Sequence, residues 1–175
     1  MISESEKVYE GKIISVYRDK VMLPDGRITL WDRVEHPGAV GVVPLLENNS
    51  VIMVRQYRNA VDDELLEIPA GKLDWSEPPE ECALRELIEE ICMRPKELIK
   101  LAEFYNSPGY SDERFFLYLA RQLEPEEGES DADEFLKIET HPIGKLMEMI
   151  SSGELRDAKS IIGIALTWLV LEDSA

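Results

Sequence analysis

The hydrophobic pattern changes period near residue 77, and this change constrains the fold more than any other feature of the chain. Before it lie two continuous apolar runs, AVGVVPLL (39–46) and VIMVRQY (51–57), which are typical of buried strands. After it, apolar residues recur at the spacing of an amphipathic helix, at Leu84, Leu87, Ile88 and Ile91. Strands first and helices interspersed later predict an α+β fold or a mixed α/β/α sandwich.

The segment before these runs predicts a hairpin, because two β-rich stretches flank the turn signal Pro24-Asp25-Gly26. A short strand is expected to run into the loop around Ala70-Gly71. Helices are expected over Pro78–Ile91, Ile143–Ser151 and Ala158–Leu171, and later strands over Leu98–Tyr105, Arg114–Ala120 and Phe135–Glu139.

Composition bounds the class of protein. A chain of 175 residues with 44% hydrophobic residues can build the core of one domain, with room for a small appendage. Its net charge of −17 argues against a reader of nucleic-acid backbones, which needs a basic face. The charge suits a protein that collects metal cations, although a solubilising acidic surface would explain most of it.

Nothing in the sequence predicts export, a membrane span or a disulfide. The opening MISESEKVYE is polar, and the apolar run Ile161–Leu171 is too short to cross a bilayer. Cys82 and Cys92 on one helix would lie roughly 15 Å apart, too far to bridge. We therefore expect a cytoplasmic protein without membrane partners.

Three glutamates, Glu86, Glu89 and Glu90, crowd into little more than one turn of the expected helix. At about 100° per residue they fall opposite an apolar stripe centred near Leu84, so they are expected on the face away from the core. A solvated helix face would account for them. However, the face carries acids alone, and Ala70-Gly71 allows close backbone approach. Carboxylate and carbonyl oxygens suit Mg²⁺ or Mn²⁺, which also bind phosphate oxygens, so chemistry on a pyrophosphate is indicated.

The spacing of Gly71, Glu77 and the run Arg85-Glu86-Leu87-Ile88-Glu89-Glu90 resembles the box of the Nudix hydrolase superfamily. One position departs from that pattern, because Cys92 stands where the box has its last glycine. The glycine usually takes a left-handed conformation at the helix end, so Cys92 should cost about 1 kcal/mol there. Arg85 is expected to be structural, either pairing with Glu81 or orienting the glutamates.

Further stretches, EIPAGKLD, VRQYR, NSPGYSDE and GELRDAKSIIGIAL, resemble the ADP-ribose pyrophosphatase branch of that superfamily. The resemblance implies a Nudix-type α/β/α sandwich with a mixed sheet over residues 37–175. It also implies an N-terminal antiparallel β-subdomain over residues 1–36, for dimerisation and base binding, and a homodimer with exchanged N-terminal strands.

The activity that the resemblance implies is Mg²⁺-dependent hydrolysis of ADP-ribose to AMP and ribose 5-phosphate. Two alternatives stay open. One is a pyrophosphatase for another nucleoside diphosphate (NDP) sugar, such as a GDP-sugar. The other is a non-catalytic module that senses ADP-ribose.

The resemblance also implies roles for individual residues. The carbonyl of Ala70 and the carboxylates of Glu86, Glu89 and Glu90 are expected to bind metal. The residues expected to bind substrate are Arg58 at the pyrophosphate, Trp31 at the adenine, and Pro108, Gly109 and Glu113 near the terminal ribose, with Asp112 also considered. A surface arginine is the alternative for Arg58, and a core tryptophan is the alternative for Trp31.

In this branch a loop glutamate before the last strand activates the attacking water, and Glu134 is expected in that role. Its rivals are Glu126, Glu127 and Glu129 in the same loop, and the box residue Glu89. His36 and His141 lie near no catalytic pattern, so a histidine base is not expected.

Overall fold

The computed structural model describes residues 1–74, 76–128 and 136–173. The strands are β1 (Ile2–Glu10), β2 (Ser15–Met22), β3 (Ile28–Glu35), β4 (Ala39–Pro44), β5 (Ser50–Arg58), β6 (Asp63–Glu67), β7 (Ala70–Lys72), β8 (Met93–Tyr105), β9 (Arg114–Pro125) and β10 (Lys137–Pro142). The helices are α1 (Pro79–Ile91), α2 (Ile143–Ser152) and α3 (Ala158–Glu172). The helices and the buried strands lie close to their predicted positions.

The N-terminal segment forms an antiparallel sheet in the order β1-β2-β3. The predicted hairpin between β2 and β3 is confirmed: Leu23 N–H donates to the Arg27 carbonyl over 2.8 Å, and Gly26 takes a φ of 86°. Strand β1 was expected only as part of the β-subdomain over residues 1–36 that the resemblance implies, because its exposed, largely polar sequence carries no hydrophobic pattern of its own.

The expected mixed sheet is confirmed. It has the order β7-β4-β9-β8, in which β4 and β9 are parallel and the outer pairs are antiparallel. A separate antiparallel sheet has the order β10-β5-β6. The parallel pair places the buried runs of β4 and β9 at the centre of the molecule.

The two faces of β4 serve two cores, because successive side chains of a strand point to opposite faces. Val40 and Val42 pack in a cluster with Leu87 of α1. Val43 packs in a second cluster with residues of α2 and α3, among them Ile164. The mixed sheet is therefore covered by helices on both faces, which is the predicted α/β/α arrangement.

Strands β8 and β9 are longer than predicted. Their pairing begins directly after α1, with Met93 opposite Pro125 and Pro95 opposite Leu123. These added segments are mostly exposed, so their sequence lacks a hydrophobic pattern. The predicted strand Phe135–Glu139 corresponds to β10, although Phe135 lies outside the described residues.

Among the described residues, the structure contains no helix long and apolar enough to span a lipid bilayer. Cys82 is a buried free thiol and Cys92 an exposed one.

Candidate active site

Helix α1 carries the acidic cluster and is bounded by clear signals at both ends. Pro78 precedes it in an extended conformation, and Pro79 opens it. At its end Cys92 has φ 54° and ψ 41°, and its N–H donates to the Ile88 carbonyl over 3.1 Å. The predicted left-handed conformation at this non-glycine position is confirmed.

The predicted orientation of α1 was wrong. The buried face holds Cys82, Ala83, Glu86, Leu87, Glu90 and Ile91, whereas Leu84 and Ile88 are only partly buried. Glu86 and Glu90 are 7% and 6% exposed, so they turn inward. The helical wheel misplaced them because it weighs hydrophobicity alone and takes no account of polar partners in the neighbouring strand.

Gly71 makes room for Glu86. A Cβ built on Gly71 would lie 1.8 Å from Oε1 of Glu86, closer than any side chain could tolerate. Next to it, the backbone N–H of Ala70 donates to Oε2 of Glu90 over 3.2 Å. The structure therefore brings three of the predicted metal-binding residues, Ala70, Glu86 and Glu90, to the junction of β7 and α1.

Arg85 orients the glutamates, which is one of its two predicted roles. Its Nη1 donates to Oε1 of Glu86 and to Oε2 of Glu89, each over 2.8 Å. Its Nε donates to Oε1 of Glu77 over 3.0 Å. The hydrogen bonding of Arg85 to Glu77, against the opposing effect of burial, lowers the pKa of Glu77 from 4.5 to about 2.

The acidic site suits a divalent cation by its donor chemistry. Across residues 1–74, 76–128 and 136–173, no three acidic, histidine or cysteine side chains converge on a point that could hold a metal ion. Arg85 binds Glu86 and Glu89, and Ala70 N–H binds Glu90. All the side-chain donors are nevertheless carboxylate oxygens, the ligands that Mg²⁺ prefers, and Gly71 leaves the space for one of them.

A cavity of about 540 Å³ opens beside this junction. It is lined by three residues from the predicted site, Arg58, Ala70 and Glu113, and by Gly71 of the box. The Arg58 guanidinium is held by Glu67, with Nε to Oε1 at 2.8 Å and Nη2 to Oε2 at 2.7 Å. Arg58 is thus fixed in direction at the cavity wall rather than loose on the surface.

Sequence reasoning missed several residues of this cavity, among them His36, Lys72, Asn106, Ser107, Asp157 and Lys159. His36 Nδ1 accepts a hydrogen bond from Gly38 N–H over 3.1 Å, so the proton of the neutral ring lies on Nε2. Lys159 and Asp157 belong to GELRDAKS, a stretch whose similarity to the branch was the available signal.

Trp31, Pro108 and Gly109 lie together in a second cavity of about 500 Å³, with Tyr105 and Tyr110. Trp31 is 58% exposed, so it is not a core residue of this chain. The segment 105–113 contributes to both cavities, whereas Trp31 lines only this one and Arg58 lines only the first. The binding roles of all these residues stay predictions.

The loop acids are only partly described. Glu134 and its rival Glu129 lie outside the described residues. Glu126 Oε1 accepts a hydrogen bond from Arg94 Nη2 over 2.8 Å, and this ion pair lowers the Glu126 pKa. Glu89 lies in a surface groove with Arg94 and Leu84 and does not line the cavity that contains Arg58.

Comparison with known proteins identifies the family to which the chain belongs. Residues 35–161 match the family model of the NUDIX domain, and residues 3–34 match that of the nucleoside diphosphate sugar hydrolase N-terminal domain. The chain therefore belongs to the Nudix family.

Two proteins of similar sequence and one solved structure illustrate what this chain resembles. An ADP-ribose pyrophosphatase of Bacillus subtilis (strain 168) is 38% identical over 97% of this chain and 91% of its own length. A methanol dehydrogenase activator of Bacillus methanolicus is 34% identical over 98% of this chain and 92% of its own. A solved ADP compounds hydrolase shares the fold with a TM-score of 0.89 at 23% identity, covering 100% of this chain and 95% of that one.

The protein is thus a Nudix hydrolase that cleaves a pyrophosphate bond in a small molecule. Nudix hydrolases generally use a divalent metal ion.

Proposed function

We propose that this enzyme hydrolyses ADP-ribose to AMP and ribose 5-phosphate with Mg²⁺. The observation that carries the proposal is the meeting of Glu86 and Glu90 with the Ala70-Gly71 backbone, beside a cavity that Arg58 lines. The carboxylates suit a divalent cation that would neutralise the charge of a pyrophosphate, and the arginine suits a phosphate oxygen directly. The name of the Bacillus subtilis relative supports ADP-ribose as the substrate.

The carboxylates of Glu86, Glu89 and Glu90 and the carbonyl of Ala70 would hold Mg²⁺. The bound cation would polarise the pyrophosphate and neutralise developing charge. Arg85 keeps the glutamates aligned through its hydrogen bonds to Glu86 and Glu89. Arg58, held by Glu67, offers its remaining N–H donors to a phosphate oxygen.

Glu134 is the proposed general base, since the box glutamates are committed to metal or to Arg85. A carboxylate bound to a dication is a poor proton acceptor. Glu134→Gln should therefore lower kcat by roughly 10²–10⁴-fold with little change in KM. The same loss in Glu127→Gln or Glu129→Gln, with Glu134→Gln fully active, would assign the base to that residue instead.

Trp31 is proposed to stack on the nucleobase in a homodimer, with residues 1–36 as the dimerisation and base-binding subdomain. Trp31 and Arg58 line different cavities of one chain. Strands β1 and β3 also expose large apolar side chains, including Ile2, Tyr9, Ile28 and Leu30. A second copy would cover these side chains and would bring its own Trp31 near the first chain's cavity.

A substrate panel tests the proposed function. ADP-ribose, GDP-mannose and UDP-glucose would be compared by kcat/KM with Mg²⁺, and products identified by chromatography. The family name of the N-terminal match is broader than ADP-ribose, so each base needs its own measurement. ADP-ribose should give the highest value. A higher value for GDP-mannose would reassign the substrate, and binding of ADP-ribose without hydrolysis of any compound would indicate a sensor.

A further inference from the structure

Glu67 is an almost completely buried acid, with 1% of its surface exposed, and it binds two residues that line the cavity, Arg58 and Lys159. Two cations bind its carboxylate. Arg58 donates through Nε and Nη2, over 2.8 and 2.7 Å, and Lys159 Nζ contacts Oε2 from the other side. Arg58 ends β5 and Lys159 lies in the first turn of α3, so Glu67 joins two distant parts of the chain.

Lys159 is fixed from a second direction as well. Its Nζ lies 3.0 Å from Oδ1 of Asp157, whose other oxygen caps α3 by accepting from Ser160 N–H over 3.0 Å. The Ser160 hydroxyl oxygen accepts in turn from the N–H of Ile68 over 2.8 Å. The position of the ammonium group is therefore set by both α3 and the chain segment that leads into Ala70.

Stability alone is a weak explanation of this cluster. Burial raises the pKa of Glu67, but the hydrogen bonds from Arg58 and the charge of Lys159 outweigh it and hold the pKa below 4.5. Glu67 is therefore a carboxylate at neutral pH. Burying charges costs about as much as their pairing returns, so apolar residues would often serve the core as well.

Both cations face the cavity beside the Ala70-Gly71 loop. A guanidinium has more N–H donors than the two that Glu67 takes. The ammonium group of Lys159 has three N–H donors. Two of them bind Glu67 and Asp157, and within the described part of the chain the third is available to a ligand. The cavity wall thus offers two fixed cationic donors near the acidic cation site.

We propose that Lys159 binds a phosphate of the nucleoside diphosphate next to Arg58, and that Glu67 is a positioning residue that holds both cations at the cavity wall. The inference rests on the proposed function and adds a second phosphate contact to it. Glu67 touches no substrate and acts through its two partners.

The test compares Lys159→Met with Arg156→Met as a matched control. Both variants remove one cation near the start of α3, but Arg156 pairs with Asp63 on the surface and lines neither described cavity. Lys159→Met should raise KM for ADP-ribose about tenfold or more, the loss expected for a charge-assisted hydrogen bond. The variant's kcat should stay within about threefold, since the contact holds the ground state and the transition state alike.

Binding provides a readout that needs no turnover. α,β-Methylene-ADP-ribose, whose bridging carbon cannot be hydrolysed, would be titrated calorimetrically in the presence of Mg²⁺. Its Kd should rise about as much as KM in Lys159→Met, and Lys159→Arg should recover most of the loss. Arg156→Met should match wild type. Circular dichroism would establish that each variant is folded.

Glu67→Gln tests the positioning role. It should raise KM and Kd in the wild-type background, with a clearly smaller effect in the Lys159→Met background, because part of its action passes through Lys159. Equal effects in both backgrounds would overturn the positioning role. Wild-type KM and Kd in Lys159→Met would overturn the phosphate contact.

Failure of the proposed function can be distinguished from failure of the proposed phosphate contact of Lys159. A wild-type protein that hydrolyses no NDP-sugar contradicts the proposed function. Titration of inorganic pyrophosphate into wild type and Lys159→Met still tests the cationic wall in that case. Equal pyrophosphate affinity of the two proteins would contradict the wall itself.

Discussion

Gly71 and Glu86 occupy one shared space: the position that a Cβ on residue 71 would take lies 1.8 Å from Oε1 of Glu86. The glycine has no positive φ, so its role is the close approach and not backbone conformation. The carboxylate can be buried against the β7 backbone only because residue 71 lacks a side chain.

Gly71→Ala should therefore displace Glu86 while leaving the fold intact, since the atoms in conflict are the far end of a flexible side chain. We expect kcat/KM to fall by about 10²-fold and Mg²⁺ affinity to weaken, as when a metal ligand loses its position. Gly144→Ala is the control, because the nearest atom to its added Cβ would be 3.9 Å away. Normal Mg²⁺ binding in Gly71→Ala would refute this role for the glycine.

Cys92 is a strained residue at the end of α1. Its φ of 54° lies in the left-handed region, which glycine adopts more easily than a residue with a side chain. Cys92→Gly should stabilise the protein by about 1 kcal/mol, measured as the free energy of unfolding in urea. Cys92→Ala keeps a Cβ and should gain nothing. Destabilisation by the glycine would mean that the thiol makes a contact worth more than the strain.

Glu77 makes stability depend on pH below neutrality. Its pKa falls from 4.5 to about 2 on folding, mainly through hydrogen bonds from Arg85. Its contribution to stability is thus fully present above pH 4.5 and is lost as the pH falls towards 2. Urea unfolding of wild type and Glu77→Gln at several pH values should show a difference that shrinks over this window. A constant difference would contradict the lowered pKa.

Some features of the fold and of the candidate site could be predicted from the sequence, and others could not. The runs at 39–46 and 51–57 and the spacing from Gly71 to Glu90 carry enough pattern to predict the central strands and the acidic helix. Strand β1 carries no such pattern, because all its residues are exposed and none has to be apolar. The inward turn of Glu86 and Glu90 depends on partners in another strand, which the helical period cannot reveal.

The contact between Lys159 and Glu67 was beyond sequence reasoning for a different reason. The two residues are separated by 92 positions, and their ion pair depends on how α3 docks beside β6. A local sequence pattern cannot predict a contact between residues that lie so far apart in the chain. The loop acid Glu134 stays a prediction, since it lies outside the described residues.

Trp31→Ala should raise KM for ADP-ribose about tenfold or more, because stacking a base on an aromatic ring is worth roughly 1–3 kcal/mol. The exposure of Trp31 makes a folding defect unexpected. Mixing Trp31→Ala chains with Glu90→Gln chains should partly restore activity if sites are shared between two chains. A monomer by light scattering at assay concentration would contradict the shared arrangement.

The proposed mechanism requires the carboxylates of α1 to hold a cation that is needed for the cleavage of ADP-ribose. The most direct measurement is the rate of AMP formation from ADP-ribose by wild type and Glu90→Gln, each with Mg²⁺ and with a chelator. We expect the wild type to be active with Mg²⁺ and inactive with the chelator, and Glu90→Gln to lose activity by about 10²-fold or more. Full activity in chelator, or a fully active Glu90→Gln enzyme, would contradict it.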